Sequence, residues 1–395
     1  MIVDEMRLKE LLSRGVEEIF VKEHLEEELR KGEPFVVKLG IDPTGPEIHL
    51  GRAVSLWKLR AFQDLGHHVV LVVGDFTAQI GDPSDKLEKR PMLSEEMVKA
   101  NMAGYKRSIG KILDLKKTRF VYNSKWLSKL SFKQVTELAE SFSVLQMSNR
   151  RNFKERLDRG EEVSLREFLY PLMQGYDSVA VNANVELGGF DQLFNLKAGR
   201  TIQRHFGMKE QDIVTTQMLE GTDGRKMSTS WGNVVNVTDE PNEMFGKIMS
   251  LHDELIVKYF TLATSVTLEE ISKIEEGLRR RDNPRDHKLH LAETIVALYH
   301  GKGKASRAKK DFINTFQKKE APAHVREVSV SRGALLADVL VKEGVVASKS
   351  EFQRLCASGG ISIAEGNKKI ADWKAVVEPG TFKVGKHRFI KINVN

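Results

Sequence analysis

A single cysteine, Cys356, stands in 395 residues. One thiol cannot close an internal disulfide, and no Cys/His cluster has zinc spacing, so a reducing, cytoplasmic setting is expected. Long apolar runs are also missing. No stretch approaches the roughly 20 residues needed to cross a bilayer, so no membrane partner is expected. The opening MIVDEMRLKELLSRG is charged throughout, without the apolar core of a signal peptide. No internal repeat or low-complexity tract is visible. What is present is ordinary for a globular protein: 41% hydrophobic and 30% charged residues, in a length that suits about two or three domains. Lysine and arginine (62) outnumber aspartate and glutamate (55), giving +7, a mild excess that fits a polyanionic partner without requiring one.

The chain changes character along its length. Residues 5–31 read as an amphipathic helix pair rich in Leu, Glu, Lys and Arg. PFVVKLGI (34–41) is a strand-like apolar run, followed by the Pro/Gly-rich loop Asp42 to His49. Leu50, Ala53, Val54, Trp57 and Ala61 then fall on one helical face, and Gly66 closes that helix. VVLVVG (69–74) is apolar at successive positions, as a strand buried on both faces would be. Strand, helix and buried strand make a βαβ unit, and FVYN (120–123) and VELGG (185–189) are further strand candidates. The expected fold is therefore α/β, a doubly wound parallel sheet over residues 1–235. Residues 236–325 read as helical, with Thr267 and Glu270 as a capping box and the basic run RRRDNPRDHK at 279–288. Lys318 to Arg326, containing Pro322, reads as a linker. Residues 331–395 read as a separate small α+β domain. It has a helix, a turn, a second helix started by a Ser348/Glu351 capping box, and then strands carrying Lys383, Lys386, His387, Arg388 and Lys391.

Three stretches carry candidate chemistry. The run Asp42-Pro-Thr-Gly-Pro-Glu-Ile-His49-Leu-Gly51-Arg52 joins a buried strand to a helix N-terminus, the junction at which parallel sheets bind ligands. Gly51 permits close backbone approach, and His49 can donate to a phosphate oxygen. A structural turn with a capping histidine is the bland alternative. The run Asp223-Gly-Arg-Lys226-Met-Ser-Thr-Ser230 is a small-residue loop whose lysine can neutralise developing phosphate charge, or else a solvated basic turn. Finally, Ser164 and Glu167 form a capping box, and Tyr170, Gln174 and Asp177 follow at i, i+4 and i+7 on one helical face. Among Leu169, Leu172 and Met173, that face is either a polar pocket or a solvated surface.

Taken together, HLGR after DPT and KMSTS far downstream resemble the two signatures of class I aminoacyl-tRNA synthetases, usually His-Ile-Gly-His and Lys-Met-Ser-Lys-Ser. GDFTAQIGDPSDK (74–86), LYPLMQGYDS (169–178) and ELGGFDQLFN (186–195) resemble stretches of the tyrosyl branch. The tail resembles the small RNA-binding domain shared with ribosomal small-subunit protein four. The resemblance implies a Rossmann-like catalytic domain at 1–235, an α-helical anticodon-side domain at 236–325 and an RNA-binding domain at 331–395. It implies that Tyr170, Gln174 and Asp82 hold the tyrosine ammonium and that Asp177 accepts the phenol O–H. Asp42, Lys38 and Gln192 match further positions beside the amino acid. Thr44, His49 and Lys226 match positions acting on the phosphates, while Lys86 and Arg90 match loop positions approaching pyrophosphate, or else form a solvated charge run. Gly40, Gly51, Gly189, Asp191, Met227 and Ser228 match the ATP-binding surroundings, with Asp191 on a ribose hydroxyl.

Four departures stand out: Arg52 replaces the second histidine of the first signature and Thr229 the second lysine of the second. Lys38 replaces a tyrosine, and Phe190 a smaller residue. Both 52 and 229 are carried as candidate catalytic positions. The implied partners are ATP with Mg2+ (not held by a dedicated protein site), L-tyrosine and tRNA(Tyr), in a homodimer, with no DNA and no organic cofactor. Rival readings are a tryptophanyl enzyme, an RNA-binding paralogue with weakened catalysis, and a nucleotidyltransferase of the same superfamily.

Overall fold

A computed structural model describes residues 4–83, 92–317, 325–364, 368–385 and 388–394. Lys86, Arg90, Lys386, His387 and most of the expected linker (318–324) therefore lie outside the described residues. The chain's contacts divide it into two compact units, residues 1–239 with 251–287 and residues 240–250 with 288–395.

The first unit is built on six strands: β1 (Val16–Phe20), β2 (Val36–Ile41), β3 (His68–Val73), β4 (Thr118–Tyr122), β5 (Val185–Gly189) and β6 (Asp212–Thr216). They lie in the order β1-β6-β5-β2-β3-β4, all parallel except β1, which runs antiparallel to β6 at the edge. The apolar runs behave as their composition dictates: Val69 to Val73 in β3 and Val185 to Gly188 in β5 are buried. Helix Leu50–Asp64 carries the chain from β2 to β3, and helix Glu95–Ile109 lies between β3 and β4. Helices Leu165–Val181 and Leu193–His205 lead to β5 and from β5 to β6. The chain first steps outward from β2 to β4, then returns to the other side of β2 for β5 and β6. Neighbouring β2 and β5 thus send their C-terminal loops apart, which opens the crevice where such sheets bind ligands.

Two expectations need correction here. The stretch 5–31 holds helices Glu5–Ser13 and Lys22–Arg30, but β1 lies between them. Gly15 at φ +63° and Val21 at φ 65° bracket Val16–Phe20 with two sharp turns, so five residues suffice for an edge strand. The helical stretch 236–325 is also not one body. Helices Ile256–Ala263 and Leu268–Arg279 belong with the sheet. Arg14 ties the first of them down, donating to the carbonyls of Phe260, Thr261, Thr264 and Val266. Tyr259 also donates to the Glu220 carbonyl at 2.6 Å.

In the second unit, helix Pro241–Met249 packs on helix Lys302–Gln317, with Phe245 and Phe312 ring centroids 5.4 Å apart and Asn242 donating to Asp311. Its C-terminal sheet comprises β7 (Glu327–Val330), β8 (Ile361–Ile363), β9 (Lys368–Lys369), β10 (Gly380–Val384) and β11 (Arg388–Val394), ordered β7-β11-β10-β8-β9. Helices Leu336–Lys342 and Lys349–Ala357 bury Leu336, Leu340 and Phe352 against Ile361, Phe382 and Ile390, with Cys356 inside the same core. β7 pairs in parallel with β11, so this small fold starts before residue 331. Ser348 accepts the Glu351 N–H as expected, but the Glu351 carboxylate turns back to the Ala347 N–H instead of closing a capping box.

Candidate active site

The first signature leaves β2 and enters helix Leu50–Asp64, with His49 as its N-cap. His49 Nδ1 accepts the Arg52 N–H at 3.3 Å, so in the neutral ring Nε2 carries the proton and is a donor. Burial, then the nearby Arg52 and Lys226 charges, push the imidazole pKa down to about 3, which keeps it neutral. Gly51 cannot carry a side chain without crowding: a Cβ there would sit 3.1 Å from His49 and 3.4 Å from the Leu219 carbonyl. Backbone bonds tie the first signature to the segment just after the second, and one side-chain contact joins the signatures themselves. Leu50 N–H donates to Val235 O (2.8 Å) and Val237 N–H to Ile48 O (2.9 Å), while Gly51 N–H points at Met227 Sδ (3.4 Å).

The Arg52 side chain is held by two hydroxyls. One arm of its guanidinium donates to Tyr105 Oη at 2.5 Å and the other to Thr44 Oγ1 at 2.7 Å.

The second signature is a tight reversal held by Asn233, which is buried. Gly221 N–H donates to Arg225 O. Asn233 Oδ1 accepts the Ser228 N–H at 2.8 Å, and its Nδ2 donates to Asp223 Oδ1 (2.7 Å) and Lys226 O (3.1 Å). The bonds from Asn233 and Arg225 hold Asp223 down near pKa 2. Lys226 reaches across to Asp191, 3.2 Å away, in a pair whose side chains are 38% and 39% exposed. Thr229, itself exposed, opens a short 3-10 turn, Thr229–Trp231.

The amino-acid helix begins as expected, with both halves of the Ser164/Glu167 capping box formed. A chain of buried and half-buried polar groups follows. Tyr170 donates to Asp42 Oδ2 (2.8 Å) and Thr77 to Asp42 Oδ1 (2.7 Å). Asn123 Nδ2 donates to Thr77 Oγ1 (3.0 Å) and to Asp177 Oδ2 (3.2 Å), and the Trp126 indole donates to Asp177 Oδ1 at 2.7 Å. Asp177 is thus held on both oxygens. Burial raises its pKa to about 7 against the opposing pull of the Lys38 charge and the two donors. Asp82 accepts from Gln192 (2.7 Å) and Asn195 (3.3 Å). Arg150, stacked between Phe153 and Phe194, donates to the same Asn195.

Lys38 stands in a different place from the one its match to a substrate-contacting tyrosine implies. It is fully buried, and its three N–H groups go to Glu186 Oε1 (2.9 Å), Ser178 Oγ (2.7 Å) and the Gln174 carbonyl (3.0 Å). With its donors satisfied by protein, it underlies the pocket residues instead of meeting a ligand. Gln174 Nε2 in turn donates to Glu186 at 3.1 Å, which orients the amide oxygen as an acceptor.

The structure therefore links Asp42, Tyr170 and Asp177 in one network, Asp82 with Gln192 in a second, and Lys226 with Asp191 in a third. Sequence reasoning missed Thr77, Tyr105, Asn123, Trp126, Glu186, Asn195 and Asn233. Of these, Thr77, Asn123, Glu186 and Asn195 fall inside stretches already singled out, but nothing local marks them as partners of Asp42, Asp177, Lys38 and Asp82.

Residues 30–317 match the family described as tRNA synthetases class I (W and Y), and the chain belongs to that family. Within it, the chain is 47% identical to the tyrosine--tRNA ligase of Carboxydothermus hydrogenoformans, over 99% of both chains. It is 45% identical to that of Thermotoga maritima, over 97% of this chain and 96% of the relative. These full-length relatives put it on the tyrosine side of a family that also contains the tryptophan enzymes. The fold is similar to that of a C-terminally truncated Aspergillus nidulans mitochondrial tyrosyl-tRNA synthetase, with TM-score 0.64, 24% identity, and coverage of 78% of this chain and 94% of that one. It is also similar to the Archaeoglobus fulgidus tyrosyl-tRNA synthetase complexed with L-tyrosine, at TM-score 0.61 and 21% identity, covering 78% and 100%.

Proposed function

We propose that this chain activates L-tyrosine with ATP, releasing pyrophosphate, and transfers tyrosine from the adenylate to the 3′-terminal ribose of tRNA(Tyr). The observation that carries the reading is the network Tyr170–Asp42–Thr77–Asn123–Asp177, buried except at the half-buried Asp42 and ending in a carboxylate that two donors hold in place. Such an acceptor at the end of an amino-acid pocket suits a phenol O–H, which a merely apolar pocket could not select. Tyr170, Gln174 and Asp82 would take the ammonium, with Asp42 and Gln192 supporting them.

The tyrosine carboxylate attacks the α-phosphate, and no covalent protein nucleophile is needed. Positioning and charge do the work. His49, as a neutral Nε2–H donor, would hold a phosphate oxygen, together with Thr44. Lys226 would follow the charge that develops on pyrophosphate, exchanging Asp191 for it, and Asp191 would take a ribose hydroxyl. Gly40, Gly51, Gly189, Met227 and Ser228 would shape the adenosine site, with Arg52 and Thr229 in the two departures' places. Lys86 and Arg90 remain candidates for the departing pyrophosphate. Among the described residues no group of three or more His, Cys, Asp or Glu could hold a metal ion; Mg2+ would arrive with ATP.

The basic run at 279–288 and the C-terminal domain (331–395) would grip tRNA through its phosphates. A homodimer is supported by large apolar side chains left exposed along one stretch: Phe132 (85%), Val144 (78%), Leu145 (71%) and Leu165 (79%). Among the described residues no helix is long and apolar enough to cross a membrane, and we place the protein in the cytoplasm. ATP–pyrophosphate exchange with each of the twenty amino acids tests the reading. Exchange stimulated by tyrosine alone is expected. Exchange with tryptophan would overturn the substrate, and none with any amino acid would favour the RNA-binding paralogue that Arg52 and Thr229 suggest.

A further inference from the structure

Helix Glu95–Ile109 meets the first signature loop through three residues on one face, Asn101, Gly104 and Tyr105, at i, i+3 and i+4. Asn101 Nδ2 donates to Pro43 O at 2.9 Å. Gly104 lets the backbones close up: a Cβ there would lie 2.5 Å from Pro46 O. Tyr105, buried, accepts from Arg52 at 2.5 Å and points its own hydroxyl at Asp42 O, 3.4 Å away. The other arm of Arg52 holds the Thr44 hydroxyl. An unrestrained arginine at the second position of this signature would swing into a phosphate site as a loose cation. Here its planar fork is fixed between two hydroxyls.

We infer that Tyr105 is a positioning residue for the nucleotide end of the site, fixing Arg52 and through it Thr44, on a helix face that clamps the loop from Asp42 to Pro46. The inference rests on the proposed synthetase reading. The polar partners of Tyr105 are protein groups, Arg52 and the Asp42 carbonyl. It sets the geometry of Arg52 and, through it, of Thr44, the group placed at the phosphates, and it leaves the amino-acid pocket beyond Asp42 alone.

The test is Tyr105→Phe, which keeps the ring and removes only the hydroxyl. In single-turnover adenylate formation the rate at saturating tyrosine should fall about 10-fold and the ATP dependence should weaken, the size expected for a hydrogen bond to a charged group. The tyrosine dissociation constant should stay within about 2-fold of the parent. In an Arg52→Ala background the same substitution should add less than about 2-fold, because the group it acts through is gone. Gly104→Ala, which pushes on the loop without touching the hydroxyl, should also weaken ATP use while sparing tyrosine binding. An equal loss of tyrosine affinity would show a merely structural role, and an undiminished effect in Arg52→Ala would show that Tyr105 does not act through Arg52; either overturns the inference. If Tyr105→Phe matches the parent, the positioning role falls while the synthetase reading stands. Parental exchange with a different amino acid would overturn the tyrosine reading alone, since the Tyr105 comparison is then made with that amino acid. A parent that activates none would overturn both.

Discussion

Replacing Lys38 by methionine should unfold the protein more easily and loosen its hold on tyrosine, and replacing Glu186 as well should repair much of the damage. Both side chains are fully buried, 2.9 Å apart. Lys38→Met removes the counter-charge but leaves Glu186 still receiving Gln174, Ser178 and Gln211. An uncompensated buried charge costs about 3–5 kcal/mol, against a total stability of about 5–15 kcal/mol for a typical domain. Glu186→Gln in that background makes the site neutral and keeps hydrogen-bonding capacity, so the pair should show a coupling energy of about 2 kcal/mol or more. Tyrosine binding follows because Gln174 is tied at both ends, its carbonyl to Lys38 and its amide to Glu186. Lys38→Met should weaken tyrosine binding about 10-fold and leave ATP binding unchanged. Denaturant unfolding, with the slope checked for constancy, measures the first effect and equilibrium dialysis the second. Strictly additive single and double variants, or an equal loss of ATP and tyrosine affinity, would refute the reasoning.

Other consequences can be checked in the same protein. Lys226→Ala should slow adenylate formation about 10- to 1000-fold in single-turnover experiments, with tyrosine affinity unchanged; the parental rate would remove it from the transition state. Asp177→Asn should lower kcat/KM for tyrosine about 10- to 100-fold and for phenylalanine much less, read by pyrophosphate exchange with both. Because burial raises the Asp177 pKa to about 7, its carboxylate forms only as pH rises through that value, so kcat/KM for tyrosine should climb there while that for phenylalanine stays flat. His49 has its folded pKa lowered to about 3, whereas the unfolded chain takes up that proton near 6.5, so its contribution to stability is lost as pH falls below 6.5, by about 2 kcal/mol at pH 5. The stability of His49→Asn should therefore depend less on pH between 4 and 7 than the parent's. Truncation after Gln317 should preserve tyrosine-dependent exchange and depress aminoacylation of tRNA, and equal loss of both would point to a structural role for the tail.

The parts of this fold that could be read from the chain are those whose local pattern and tertiary fate agree. β2 and β3 are apolar runs that end in the middle of a sheet, helix Leu50–Asp64 has one apolar face, and the Ser164/Glu167 box forms as its spacing demands. β1 was hidden because VEEIF sits between two strong helix formers and becomes a strand only by pairing with β6, some two hundred residues on. β6 and β7 are short and mixed in polarity, and they too gain identity from a partner. The site follows the same rule. Residues that carry chemistry lie in recognisable motifs, whereas those that hold them lie wherever the fold delivers them. Tyr105 reaches Arg52 from a different helix, and Glu186 reaches Lys38 from a different strand. Lys38 shows the cost of reading a position without its neighbours: a buried cation matched to a substrate-contacting tyrosine is already surrounded by protein acceptors.

The two ends of the site differ in how their charges are held, and the difference suits the two demands of the reaction. At the amino-acid end Asp177, Lys38 and Glu186 are buried and cross-tied, so none can move without leaving a neighbour unsatisfied. Rigidity of that kind discriminates, because a substrate lacking the matching group gains nothing from rearrangement. At the phosphate end Lys226 meets Asp191 with both side chains more than a third exposed, a pairing worth about 1 kcal/mol or less. Such a cation can leave its partner for a growing charge at little cost, which is what a loop acting on pyrophosphate requires. Arg52 is the exception that fits the rule: the one strong cation built into the first signature is fixed by Tyr105 and Thr44, so it cannot compete with Lys226 by swinging through the site. Charge that must choose is locked in place, and charge that must follow the reaction is left on the surface.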